Sequence, residues 1–259
     1  MQAFVGIVLA AGVALIAMRA RALTRGGAVA ACAVGAVVFG ASGWRGALVL
    51  FAFFIPSALL SRLGRRRKSR LADIGKQGPR DIWQVLANGG VAAICALIAV
   101  RNGVFASAFA GAFAAAAGDT WGTEVGTLSR RAPRSIVSLR PIEVGLSGGV
   151  TALGTAATIF GAALVAAAAA LAGVAPLLPV AVGGIAGAVA DSLLGATMQS
   201  QRWCPQCERA CESNPHRCGA VTSRRHGVSW LGNDAVNVAA TLTGAMVAGA
   251  LAAFWWRAH

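Results

Sequence analysis

Runs of apolar residues about as long as a bilayer is thick constrain this chain more than any other feature. Ala, Gly, Val and Leu dominate the runs, which show no polar face, and mean hydropathy is +0.67. A helix needs about 20 residues to cross a hydrocarbon core of about 30 Å. The pattern predicts an all-α, polytopic membrane helix bundle with about eight transmembrane helices. The predicted spans cover residues 2–18, 26–42, 45–61, 84–100, 103–124, 146–172, 176–199 and 232–256.

The basic residues predict how these spans are oriented. Twenty of the 23 Lys and Arg residues lie in the connections after spans one, three, five and seven. The positive-inside rule assigns these connections to the cytoplasm and both termini to the non-cytoplasmic side. The first span has no positive charge before its apolar run, so we do not expect a cleavable signal peptide. Topology thus explains the net charge of +14 without nucleic acid as a partner.

The same distribution predicts the organisation of the chain. We expect a single integral membrane domain over residues 1–259, with a cysteine-rich cytoplasmic loop at residues 200–230. The bilayer of an inner or plasma membrane is the expected surrounding, and homo-oligomerisation stays open. A basic cytoplasmic face attracts anionic lipids and anionic substrates.

Four carboxylates in or against apolar spans are the strongest indication of function. A charge at a membrane-helix position costs several kcal/mol and is rare unless it has a partner and a task. These four are the predicted catalytic residues and Mg²⁺ ligands: Asp119, Glu124, Asp191 and Asp234. All nine carboxylates of the chain fall on the predicted cytoplasmic side. Pairing with nearby arginines is the structural alternative for Asp119, Glu124 and Asp191, and interhelical hydrogen bonding is the alternative for Asp234.

Asp119 and Glu124 are close in sequence but do not share a helix face. Their spacing of five residues separates them by about 140° on an ideal helix. Either both flank one pocket or the helix loosens at its glycines. Thr123 does share the face of Asp119.

Polar side chains at the same ends of other spans suit metal and phosphate binding. Asn233, Asn237 and Thr241 form a stripe at helical spacing, for which interhelical hydrogen bonding is the alternative. Span six is predicted to begin at a Gly-rich segment whose free N–H groups would bind phosphate. The predicted substrate- and nucleotide-binding residues are Arg80, Gln84, Asn88, Thr123, Arg140, Ser147, Gly148, Gly149, Ser192, Asn233 and Asn237. Other loop cations that could hold phosphates are Lys76, Arg134, Arg224 and Arg225. For Gln84 and Asn88, an ordinary capped helix start is the alternative.

Four of the six cysteines cluster in the loop before the last span. The predicted cytoplasmic location is reducing, which disfavours disulfides. Cys-x₂-Cys followed by His-x-Cys suits structural Zn²⁺, with Cys204, Cys207, His216 and Cys218 as ligands and Cys211 as a spare. Free thiols in a polar loop are the alternative.

The order of these motifs resembles the integral membrane family that includes plant and cyanobacterial phytyl-phosphate kinases and the animal transmembrane protein 19. The matching motifs are Arg80-Asp81-x-x-Gln84-Val-Leu-Ala-Asn88-Gly89-Gly90, Gly118-Asp119-Thr120-Trp121-x-x-Glu124, Ser147-Gly148-Gly149, Asp191-Ser192-Leu193-Leu194-Gly195-Ala196, the Cys-x-x-Cys loop and Asn233-Asp234-x-x-Asn237. The resemblance covers the chain from about residue 80 onward. Thr123, where Ser is expected, and the additional Cys211 depart from it.

The resemblance implies a membrane kinase that phosphorylates an isoprenoid (phytyl or prenyl) monophosphate to the diphosphate. A nucleoside triphosphate, CTP above all, would be the donor, and the site would face the cytoplasm. Phosphoryl transfer needs positioning and charge neutralisation, which Asp, Asn and Arg provide. A cytidylyltransferase that forms a CDP-lipid is the second enzymatic reading. A transporter of a phosphorylated or lipid substrate is the alternative of another class, but the outer halves of the spans carry almost no charge.

Overall fold

The protein is a bundle of apolar helices, described here from a computed structural model that covers residues 2–63, 78–99 and 102–258. The described helices are α1 (Gln2–Arg19), α2 (Arg25–Leu60), α3 (Ile82–Ala99), α4 (Gly103–Gly126), α5 (Ala152–Leu171), α6 (Leu177–Thr197) and α7 (Asn233–Ala258). Five of them, α2, α3, α5, α6 and α7, are long and apolar enough to cross a membrane. The mainly helical class predicted from the sequence is confirmed, whereas eight spans and the sides of the termini stay predictions.

Helix α2 contains the second and third predicted spans. Its 36 residues would extend about 54 Å if straight, well beyond the thickness of an apolar core. Gly43 interrupts it with φ 61° and ψ −152°, a conformation that favours glycine. Beyond the far end of α2, Arg62 donates a hydrogen bond of 2.8 Å to the Ala20 carbonyl oxygen, just before α2 begins. The chain therefore reverses near Gly43.

Helix α4 lies at the centre of the bundle and packs against α2, α3, α5, α6 and α7. Every residue from Ser107 to Gly118 is buried, whereas the other helices carry many exposed apolar residues. The Phe113 ring stacks on Phe53 with centroids 5.5 Å apart and meets Phe109 edge-on at 5.4 Å. Most of the buried positions are Ala, and small residues let helices approach closely where lipid supplies no hydrophobic driving force.

Side-chain caps define several helix starts. Thr24 accepts from Gly27 N at 3.0 Å, Asn102 from Val104 N at 2.9 Å and Thr151 from Gly154 N at 3.0 Å. Each cap satisfies a backbone donor that has no partner inside its own helix. The predicted start of span six at residue 146 was wrong, because the helix begins at Ala152, directly after the capping Thr151.

Two small antiparallel sheets, which the all-α prediction missed, lie between the helices. Strands β1 (Arg134–Ser135) and β2 (Gly149–Val150) pair ahead of α5. The cysteine-rich loop forms a three-stranded sheet of order β4-β3-β5, from β3 (Gln201–Cys204), β4 (Arg209–Cys211) and β5 (Ser223–His226). Strands of two to four residues are too short to give a period-two pattern, so the sequence carried no signal for them.

The close packing of α4, α6 and α7 predicts that any side chain larger than glycine at position 244 destabilises the bundle. A Cβ added at Gly244 would lie 2.6 Å from the Ala115 Cβ and 2.7 Å from the Gly111 carbonyl oxygen. We expect Gly244→Ala to lower the thermal unfolding midpoint in detergent by several degrees, since overpacking costs about 1–3 kcal/mol. Gly12→Ala in α1 is the matched control, because nothing lies within 4 Å of its added Cβ. Equal midpoints for the two variants, measured by tryptophan fluorescence, would contradict this packing.

Candidate functional site

A polar cavity of about 600 Å³ opens at the end of the bundle where α1 meets α2 and where α4 and α6 end. Residues from every basic connection of the sequence contribute to its wall, among them Arg21, Arg62, Gly126 and Glu212. Residues far apart in sequence therefore converge at one site. Residues 64–77, which belong to the most basic connection, are outside the described residues. Lys76, one of the predicted phosphate-binding cations, lies in this segment.

Three of the four predicted catalytic carboxylates line this cavity: Asp119, Glu124 and Asp191. Asp119 of α4 and Asp191 of α6 lie within hydrogen-bonding reach of each other, side chain to side chain. Asp191 Oδ2 is buried and has no hydrogen-bond partner among the described residues. Two carboxylates in contact repel each other unless a proton or cation lies between them. The pair therefore has oxygen donors that a bound cation or a shared proton would satisfy.

Glu124 faces the same cavity from the last turn of α4. The helix continues without a break to Gly126, so it does not loosen between Asp119 and Glu124. The cavity instead extends around the helix end far enough for both acids to flank it. Thr123 also lines the wall.

Arg80 provides positive charge beside these carboxylates. Its backbone is anchored to the α1–α2 junction, because Arg80 N donates to the Ala22 carbonyl oxygen at 2.9 Å and Thr24 N donates to the Arg80 carbonyl oxygen at 3.0 Å. Burial lowers the pKa of the Arg80 guanidinium, while the charges of Glu124 and Asp119 act in the opposite direction. The guanidinium is thus held near both acids by backbone contacts that do not involve them.

Helix α3 begins at the cavity wall with a reciprocal cap. Asp81 N donates to Gln84 Oε1 at 3.1 Å, and Gln84 N donates to Asp81 Oδ1 at 2.9 Å, which is a capping box. Asn88 Nδ2 donates to the Gln84 carbonyl oxygen at 2.8 Å. Gln84 and Asn88 also line the cavity. The capped helix start and a position at the site are therefore compatible.

The Gly-rich segment before α5 reaches the cavity as a loop, not as a helix start. Gly148 has φ +81° and lies so close to Ala196 of α6 that a side chain would clash. Ile136 N donates to the Gly148 carbonyl oxygen at 2.9 Å, which ties the loop to the β1 region. Ser147, Gly148 and Gly149 all line the cavity. The predicted helix start at this segment was wrong, because these residues precede the capping Thr151. Phosphate binding by the segment stays a prediction.

The polar stripe of α7 divides between the site and the packing. Asn233 and Asn237 line the cavity, and so does Ser192 of α6. Thr241 is buried one turn deeper and donates a hydrogen bond of 3.1 Å to the Ala87 carbonyl oxygen of α3. Thr241 therefore makes an interhelical hydrogen bond, which was the alternative interpretation of the stripe.

Several predicted residues lie away from the cavity lining. Asp234 occupies the first turn of α7, where a carboxylate interacts favourably with the helix dipole. Arg140 is exposed, and Arg134 donates to the Leu139 carbonyl oxygen at 2.8 Å. Arg225 stacks over the Trp203 ring at 4.0 Å in the cysteine-rich sheet, and Arg224 lies on the same exposed strand. The roles proposed for these residues stay predictions.

Glu212 is a carboxylate of the cavity lining that the sequence reasoning did not select. It lies in the cysteine-rich loop, yet it accepts a hydrogen bond of 2.6 Å from Ser147 Oγ and its charge acts on Asp191. An acid in a long polar loop gives no local signal of a site. Only the fold brings this loop next to the Gly148 segment.

An apolar groove of about 180 Å³ adjoins the polar cavity. Its wall is formed by α1, both halves of α2, and α3, with Leu9, Val34, Phe39 and Leu50 among the side chains. The lining residues that it shares with the polar cavity are Phe54, Arg80, Gln84 and Asn88. Charged and apolar surfaces thus meet at Arg80.

The cysteine-rich loop brings four metal-binding side chains together: Cys204, Cys207, His216 and Cys218. One donor atom from each lies within 4.8 Å of the others, and Cys211 is not part of the group. The group therefore could hold a metal ion and matches the four ligands predicted from the spacing.

Comparison with known proteins assigns the chain to a family. The model of the integral membrane protein family DUF92 matches residues 8–245, so the chain belongs to this family and is an integral membrane protein. It is 32% identical over 200 residues to "Uncharacterized membrane protein MJ0933" of Methanocaldococcus jannaschii, covering 76% of this chain and 83% of that protein. It is 28% identical over 268 residues to "Protein PGR" of Arabidopsis thaliana, covering 91% of each. No solved structure matches the chain. The resemblance drawn from the motifs is confirmed at the level of the family.

The paired carboxylates predict stabilisation by a divalent cation. We expect Mg²⁺ to raise the thermal unfolding midpoint of the detergent-purified protein, because a cation relieves the repulsion between Asp119 and Asp191 and binds only the folded chain. Asp119→Asn and Asp191→Asn should each abolish most of this shift. Glu143→Gln is the matched control, since Glu143 is exposed and does not line the cavity. A full Mg²⁺ shift in both aspartate variants would contradict the assignment.

Proposed function

We propose that this member of the DUF92 family is an Mg²⁺-dependent membrane kinase that converts an isoprenoid monophosphate, phytyl or prenyl, to the diphosphate. A nucleoside triphosphate, CTP in the first place, is the proposed donor. The observation that carries this proposal is the junction at Arg80 between a carboxylate-lined polar cavity and an apolar groove. A substrate with a phosphate head and a hydrocarbon tail fits both surfaces at once.

The proposed reaction needs neither a covalent intermediate nor a strong base. An oxygen of the lipid phosphate attacks the γ-phosphorus of the nucleotide. The bond between that phosphorus and the β–γ bridging oxygen breaks, and the nucleoside diphosphate leaves with the electron pair. The lipid phosphate is already an anion near neutral pH, so catalysis rests on alignment and charge neutralisation. The absence of histidine from the described cavity lining is compatible with this chemistry.

The cavity residues have distinct proposed roles. Asp119, Glu124 and Asp191 would hold Mg²⁺, whose chemistry when bound is to neutralise phosphate oxygens. Asp234 remains a proposed ligand from the sequence, although it does not line the cavity. Arg80 is proposed to bind the lipid phosphate at the groove junction. Hydroxyl and amide donors around the wall would orient the nucleotide: Thr123, Ser147, Ser192, Asn233 and Asn237.

The same geometry supports a proposed membrane arrangement. We propose eight spans with both termini non-cytoplasmic, in an inner or plasma membrane, and a cavity open to the cytoplasm. The reversal of α2 near Gly43 supports two crossings within that helix. The convergence of all four basic connections on one cavity supports a cytoplasmic site. The cysteine and histidine group is proposed to hold a structural Zn²⁺.

Product identity tests the reaction. We expect detergent-purified protein to convert phytyl or geranylgeranyl monophosphate and CTP, with Mg²⁺, to the prenyl diphosphate and CDP. Asp119→Asn and Asp191→Asn should lower kcat/KM at least 100-fold, because each removes a proposed metal ligand, whereas Glu143→Gln should retain the parental value. Release of pyrophosphate with a CDP-linked lipid would instead identify a cytidylyltransferase. Failure of every nucleotide and prenyl phosphate pair would refute the proposal.

The groove predicts a separate effect on the lipid substrate. Ala47 lines the groove and not the polar cavity. The Ala47→Phe substitution should therefore fill part of the groove that is proposed to bind the lipid tail. We expect the KM for a C20 prenyl phosphate to rise about tenfold, because a buried CH₂ is worth about 0.8 kcal/mol and two lost contacts suffice. The KM for CTP should stay unchanged. Ala156→Phe on the exposed face of α5 is the control, and equal lipid KM values in both variants would rule out the groove.

A further inference from the structure

The cysteine-rich loop carries a cavity residue between two halves of a metal site. Cys204 and Cys207 precede Glu212 in the chain, and His216 and Cys218 follow it. Glu212 itself lines the polar cavity. A metal bound by all four side chains would therefore close a short loop whose middle residue reaches the proposed active site.

The donor geometry of this group suits a tetrahedral ion. Cys204 Sγ and Cys218 Sγ are 3.5 Å apart, and His216 Nδ1 lies 3.1 Å from Cys218 Sγ. Two thiolates on one Zn²⁺ with bonds of about 2.3 Å are separated by about 3.8 Å, close to the observed distance. All six cysteines of the chain are free thiols in the structure.

The rest of the loop transmits this constraint to Glu212. Strand β4 pairs with β3 up to Cys211, immediately before Glu212. On the other side, Thr222 Oγ1 donates to the Ser213 carbonyl oxygen at 3.0 Å and accepts from Arg202 Nε at 2.6 Å. Glu212 thus lies between a strand and a hydrogen-bonded turn, and the four metal ligands lie in the same framework.

The position of Glu212 in the cavity is costly without such support. Its carboxylate accepts the 2.6 Å hydrogen bond from Ser147 Oγ, but its charge also lies near Asp191. Like charges in a partly buried site oppose each other. The hydrogen bond from Ser147, together with the strand and the turn on either side of Glu212, helps to hold its carboxylate there against this repulsion.

We propose that Zn²⁺ bound by Cys204, Cys207, His216 and Cys218 positions Glu212 in the cavity, and that zinc occupancy thereby sets the affinity of the cavity for its divalent cation. Glu212 is a positioning residue, which adds negative charge near Asp191 and orients the Ser147 hydroxyl. The inference rests on the proposed function for its meaning in catalysis, but the metal binding at each site is measurable without turnover.

The first measurement is zinc content of the detergent-purified full chain by elemental analysis. We expect about one zinc per chain in the parent and in Glu212→Gln, and loss of most zinc in Cys204→Ser and Cys218→Ser. Cys211→Ala is the matched control, because Cys211 is in the same loop but outside the group. Absence of zinc from the parent, or full zinc in both Cys→Ser variants, would overturn the proposal, as would a Cys204–Cys218 disulfide in its place.

The second measurement is Mn²⁺ affinity by electron paramagnetic resonance, with Mn²⁺ as the probe of the carboxylate cavity. We expect Glu212→Gln and the zinc-free variants to bind Mn²⁺ about tenfold more weakly, the effect expected when support around a metal site is removed. Glu208→Gln is the control, because Glu208 is an exposed acid in the same loop that does not line the cavity. Unchanged Mn²⁺ affinity after zinc loss would overturn the proposal.

A chelator experiment separates this coupling from simple misfolding. Zinc removal from the parent should weaken Mn²⁺ binding, and stoichiometric zinc should restore it, whereas Glu212→Gln should show neither response. A response in Glu212→Gln equal to the parent's would reject Glu212 as the link. If the parent binds zinc and Mn²⁺ as expected yet phosphorylates no prenyl phosphate, the proposed function fails while the coupling stands.

Discussion

A carboxylate removed from bulk water needs a cation or a proton near it, and this requirement organises one end of the bundle. Asp119 and Asp191 approach each other from two helices, and Arg80 provides the nearby positive charge. Each aspartate belongs to an otherwise apolar helix, where a charge without a partner would be costly. The anchoring of the Arg80 backbone to the α1–α2 junction therefore matters to the site as much as the acids themselves.

The contact between the two aspartates depends on how closely α4 and α6 pack. A Cβ added at Gly184 would lie 2.6 Å from the Ala114 Cβ, and one at Gly187 would lie 2.5 Å from the Ala115 Cβ. These small residues lie in the same helices as Asp119 and Asp191, one to two turns away. Larger side chains would separate the helix axes and with them the carboxylates. Core packing and the geometry of the site are thus one arrangement.

The polar cavity and the adjoining apolar groove offer a ligand two different environments. The polar cavity collects backbone N–H groups, amides, hydroxyls and charges, and the groove offers almost only hydrocarbon. Arg80 suits the boundary, because its guanidinium lies 6.0 Å from the Phe53 ring while its charge acts on the acids. An amphiphilic phosphate is the class of molecule that satisfies both sides of this boundary.

The sequence by itself determined the helical class and the membrane location, and it selected three of the four described carboxylates that line the cavity. Apolar runs and alternating basic connections are local signals, and an acid such as Asp191 in an apolar run is conspicuous because its cost is local. Predicted ligands such as Cys204 and His216 were likewise visible from spacing. Only the tertiary structure decided which of these residues meet. It brought Glu212 to Ser147, left Asp234 outside the cavity lining, and used Thr241 for packing, because helix rotation and loop path are set by long-range contacts that no local pattern records.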